Sequence, residues 1–83
     1  MEPPVQEFTL ARTALESAQT AAANKFAPGL WYKAEENYRQ GDTAFKAGRF
    51  KEARDYFLDS QEYSERAENK ARFEKRKLGE DLP

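Results

Sequence analysis

From Phe8 to Leu78 the apolar residues return every three or four positions, and this spacing constrains the fold more than any other feature. Each run lines one face of a helix. Ala27-Pro28-Gly29 and Gly48 cut the periodicity into three. Proline cannot continue a helix but suits its first position, and glycine readily takes the left-handed conformation that closes one. The breaks predict helices over about 5–25, 28–47 and 50–78, with 1–4 and 79–83 as flexible ends of a single domain spanning 1–83.

The first stripe is Phe8, Ala11, Leu15, Ala18, Ala22 and Phe26, widened by Ala14 and Ala21. So much alanine favours helix locally and lets a neighbouring helix approach closely. The second stripe alternates large and small residues: Trp31, Ala34, Tyr38, Gly41 and Phe45. Glycine inside a helix costs about 1 kcal/mol against alanine, so Gly41 predicts a tight crossing with another helix. The third stripe is Phe50, Ala53, Phe57, Ser60, Ser64, Ala67, Ala71 and Leu78. At ~1.5 Å per residue the third helix is about 43 Å long against about 30 Å for the others, so its last two turns overhang. The expected fold is all-α, a three-helix up-down-up bundle with a long C-terminal helix.

Composition narrows the function. There are no cysteines and no histidines among the 83 residues. That removes disulfides, thiolate metal sites and the commonest general base. Formal net charge is −1, with 35% of residues charged, which gives no basic face for nucleic acid. No apolar run approaches the ~20 residues of a transmembrane helix. Carboxylates are numerous, but they sit four residues before basic partners: Glu35 to Arg39, Asp42 to Lys46, Glu62 to Arg66 and Glu68 to Arg72. Such pairs support exposed helix faces. Neither Asp55 with Asp59 nor Glu35 with Glu36 reads as the environmentally separated pair that acid–base catalysis requires. No phosphate loop, calcium loop or metal-binding helix pattern appears. The expectation is a protein that is not an enzyme, with no catalytic residues, metal or cofactor.

Segment 34–67 resembles one tetratricopeptide repeat. Gly41 stands at the small crossing position, Gly48 and Phe50 at the turn, and Ala53 and Phe57 as the small-then-aromatic pair of the second helix. Each position has a steric reason: small where backbones meet, glycine where φ turns positive, aromatic where a gap is filled. Pro28 completes this structural signature at the preceding corner. Asn37 and Gln40 replace the usual large residues, and Glu65 replaces the closing proline, as in a terminal or solitary repeat. A repeat that clamps a peptide carboxylate uses lysine, asparagine and arginine where this chain has Tyr38 and Asp42, so no clamp is expected. Over Ala11 to Ala71 the chain also resembles a bacterial domain-of-unknown-function family of envelope lipoproteins, through Phe26-Ala27-Pro28-Gly29-Leu30 and the repeat-like hairpin. That resemblance implies periplasm or cell envelope, with cytoplasm as the alternative. Met1-Glu2-Pro3-Pro4 reads as a linker of the kind that follows an export signal or lipid anchor.

The expected role is therefore protein–protein interaction or scaffolding, as a monomer or weak homodimer. Tyr32, Tyr56, Tyr63 and Phe73 lie off the stripes and are candidate partner contacts, since interface hot spots favour aromatics. Arg66, Lys70, Arg72, Lys75, Arg76 and Lys77 form a candidate basic patch for an acidic partner or membrane surface, although cations also favour a helix C-terminus for dipolar reasons. A structural spacer or self-association domain of a larger protein, whose long third helix pairs with a copy or continues into that protein, is the other reading.

Overall fold

The computed structural model describes residues 1–79 as four helices: α1 (Val5–Thr20), α2 (Ala23–Phe26), α3 (Pro28–Lys46) and α4 (Phe50–Lys77). No strand occurs among the described residues. The expected tail beyond Gly79 lies outside them.

The first predicted helix is in fact two. Ala22 takes φ 60°, where an L-residue other than glycine is strained by about 1–2 kcal/mol. Its N–H donates to the Gln19 carbonyl, while its own carbonyl accepts from Lys25 and Phe26 and so starts α2. The physical reason is visible in the spacing. Ala11, Ala14, Ala18 and Ala21 are buried, and an unbroken helix would carry Lys25 onto the same face. Burying that unpaired charge is far more costly than one strained alanine. The break turns Lys25 outward and sets Ala23 and Ala27 inward instead. Ala22, expected on the core stripe, is only partly buried. Ala22→Gly should therefore raise Tm by about 2–8 °C. Ala14→Gly, within regular α1, should lower it, and thermal melts of both variants check the contrast.

α3 and α4 form a hairpin. Pro28 opens α3, and Gly48, at φ 78°, closes it, with the Arg49 N–H reaching back to the Ala44 carbonyl at 2.9 Å. Gly41 faces Phe57, and the Ser60 hydroxyl donates to the Ala34 carbonyl at 2.8 Å. Those contacts, ascending on α3 as they descend on α4, make the pair antiparallel. α1 runs in the same direction as α4, with Phe8 near Phe57 and Ala18 near Ala67 and Ala71.

The core has two ends. At one, Ala11, Ala44, Ala53 and Phe57 are ringed by Phe8, Tyr38 and Phe45. At the other, six alanines from α1, α2, α4 and the joining turns pack beneath Phe26, Leu30 and Trp31. Phe57 is the largest fully buried side chain, while Trp31, Tyr38, Phe45 and Phe50, placed on core stripes by their spacing, are half-buried. The seam along α4 is otherwise alanine and serine, and the Ser64 hydroxyl has no hydrogen-bond partner among the described residues. Leu78 departs from its expected core position: α4 ends at Lys77, and Leu78 is 67% exposed. Buried positions on α4 stop at Ala71, so Arg72–Lys77 extend past the seam.

Candidate functional site

Two surfaces carry the candidate residues, and α3 borders both. The first is a cleft between α1 and α3, which pack on α4 much more than on each other. Its two lobes, ≈ 410 and ≈ 340 Å³, share Leu15, Glu35 and Tyr38. Trp31 deepens the apolar floor, while Arg12, Glu16, Glu36 and Arg39 stand on the rims. Tyr32 lies at this edge and is 67% exposed. Burial pushes the Tyr38 phenol up from its ordinary pKa. Hydrogen bonds from Arg39 and then Gln40 hold the Glu36 carboxyl below the usual range. The expected Glu35–Arg39 pair is thus replaced by Glu36–Arg39, one residue closer along the helix. A carboxylate held ionised in this way offers charge and acceptors to a docked chain but is a poor proton donor.

The second surface is the flank of α4, about a quarter-turn from its buried face. Tyr56 and Tyr63 lie two turns apart here, both half-buried. Lys33 of α3 and Arg66 lie over the Tyr63 ring at 5.6 and 5.5 Å. Tyr56 borders a shallow acidic depression with Glu52, Asp55 and Asp59. Phe73, further along, is 55% exposed, with Lys77 over its ring. Tyr56 and Tyr63 therefore share one flank of α4, Phe73 lies about 80° further round the helix, and Tyr32 belongs to the cleft.

The basic residues at the end of α4 do not form one face. Arg66 pairs with Glu62 at 3.8 Å, Arg72 with Glu68 at 2.8 Å and Lys77 with Glu74 at 3.7 Å. Lys75 turns to the opposite side and lies over Phe26. Only Lys70 and Arg76 of the six have no ion pair or ring contact among the described residues. Helical spacing sends them in directions about 120° apart.

The signature residues are structural. Gly41, Ala53 and Phe57 are buried, and Phe50 packs its ring on Phe45 at 5.6 Å. Among the described residues no group of three or more Asp or Glu side chains is arranged to hold a metal ion, and no helix is long and apolar enough to cross a membrane. Residue spacing does not reveal the cleft. Leu15 and Trp31 read as core positions in sequence, and nothing local marks the gap between α1 and α3.

A family model described as a domain of unknown function (DUF4398) matches residues 6–79. No curated protein and no solved structure matches the chain.

Proposed function

Since the chain belongs to the DUF4398 family, we propose a role argued from its surface: a non-catalytic protein–protein interaction or scaffold module that offers α4 to another protein. The unequal covering of α4 carries this reading. Ala53, Phe57, Ser60, Ser64, Ala67 and Ala71 are all at 0% exposure, whereas on the adjoining flank Tyr56 and Tyr63 are half-buried and Phe73 is exposed. A rigid helix with aromatics on an open flank is a ready docking surface.

In this reading α1 and α2 are one broken arm of an up-down-up bundle, and α3 with α4 is a tetratricopeptide-like hairpin. Gly41 at the crossing and Gly48 at the turn support it. On the resemblance to envelope lipoproteins, the bacterial envelope is taken as the compartment. Membrane-surface binding through the basic end is the weaker alternative, because half of those cations are already paired.

A photoreactive phenylalanine analogue at Tyr56, Phe73 or Tyr32, in cells that naturally make the protein, tests the proposal. Adducts with a protein are expected from Tyr56 and Phe73. Adducts from Tyr32 alone would move the interface to the cleft, and none from any position would sink the interaction reading.

A further inference from the structure

The open flank of α4 carries a repeating pattern of charged and aromatic residues. Glu52, Tyr56, Asp59, Tyr63, Arg66, Lys70, Phe73 and Lys77 recur at alternating spacings of four and three. Together they form a heptad-type stripe about 38 Å long. All eight are exposed or half-buried. The charges separate along it: both acids lie in the N-terminal half and all three cations in the C-terminal half.

This order is complementary to itself when reversed. Laid against a second α4 running the opposite way, about a two-fold axis between Ser64 and Glu65, the stripe sets Glu52 against Lys77 and Asp59 against Lys70. Tyr56 then meets Phe73, and Tyr63 meets Arg66. Every acid faces a cation and every aromatic faces an aromatic or a cation. The same stripe paired in parallel would set each charge against its own kind.

We infer that this flank of α4 is a self-recognition surface, pairing antiparallel with α4 of a second copy of the chain. The inference rests on α4 being the interaction surface and fixes the occupant. An isologous two-fold contact is the commonest way identical chains associate. Each pair occurs twice across the axis, so four ion pairs and two aromatic pairs form at once, with Lys77 exchanging its exposed 3.7 Å pairing with Glu74 for Glu52 of the second copy. Near the axis, Lys33 and Arg66 over Tyr63 gather positive charge, and Glu62, 3.8 Å from Arg66, offsets it. Partner choice through charges along a helix stripe is the logic by which coiled coils set orientation. Because the charges lie at a surface, the association weakens with salt.

The test uses two charge reversals. Asp59→Lys sets lysine against Lys70 in both symmetric places, and Lys70→Asp sets aspartate against Asp59. Sedimentation equilibrium of the unaltered chain should show a concentration-dependent dimer that is lost at high salt. Each variant alone should dimerise more than about tenfold more weakly. Mixed in equal amounts they should associate as the unaltered chain does, since the introduced lysine of one chain then meets the introduced aspartate of the other. That rescue requires both variants to be folded. An unaltered chain that stays monomeric at millimolar concentration overturns the inference, as does a dimer indifferent to either reversal. Monomers that still give photo-adducts with a different protein would leave the interaction module standing without self-pairing.

Discussion

Replacing Phe57 by alanine should destabilise the fold by about 3–5 kcal/mol, the usual consequence of emptying a fully enclosed phenylalanine site. Phe57 is at 0% exposure, and its ring lies 5.4 Å from Phe8, 5.8 Å from Tyr38 and 6.5 Å from Phe45 by centroids. Those rings come from α1 and α3, so one side chain ties three helices together. The surrounding core positions are alanine, too short to close the gap. A domain of ordinary stability has only about 5–15 kcal/mol in total, and small domains sit low in that range. Urea unfolding followed by circular dichroism should show the midpoint falling sharply or the folded baseline disappearing. Phe73→Ala, on the exposed flank, should leave the midpoint nearly unchanged.

Gly41→Ala should also destabilise, although it moves a helix residue from a poor helix former to the best one. A Cβ at Gly41 would lie 2.7 Å from two ring carbons of Phe57. The gain in helix propensity is about 1 kcal/mol, and overpacking a filled core costs about 1–3 kcal/mol. The ring has nowhere to go, since other aromatics surround it. A net loss of up to about 2 kcal/mol is expected. Combining Gly41→Ala with Phe57→Leu should cost less than the two single losses added together. A double-mutant cycle reads that coupling directly. Additive losses would show that Gly41 is glycine for some reason other than Phe57.

The hairpin is the most legible part of the sequence. Pro28 and Gly48 are chemically unable to do much else where they stand, so they mark the start and end of α3 to within a residue. Gly41 is legible for the opposite reason: a residue locally unfavourable in a helix implies a tertiary demand, which is Phe57. The break at Ala22 is not legible. Alanine is the strongest helix former, and the reason for the break lies three residues further on, in where Lys25 would otherwise point. Leu78 misleads because a periodic stripe does not announce where its cover ends. The α1–α3 cleft depends on how far apart two helices settle, which no local pattern encodes. The separated charges along the α4 flank are present in the spacing throughout, but they stand out only once the structure separates the buried face from the open one.

The seam between α1 and α4 has a mechanical consequence. Alanine and serine give nearly smooth surfaces, with no knob to lock one helix lengthwise on the other. The aromatics gather at the two ends instead, Phe8 with Phe57 at one and Phe26 with Trp31 at the other. α1 and α4 are thus pinned to each other at one end and capped at the other by rings that α2 and α3 supply, with a bearing between. Sliding one along the other by a turn would require both ends to let go together.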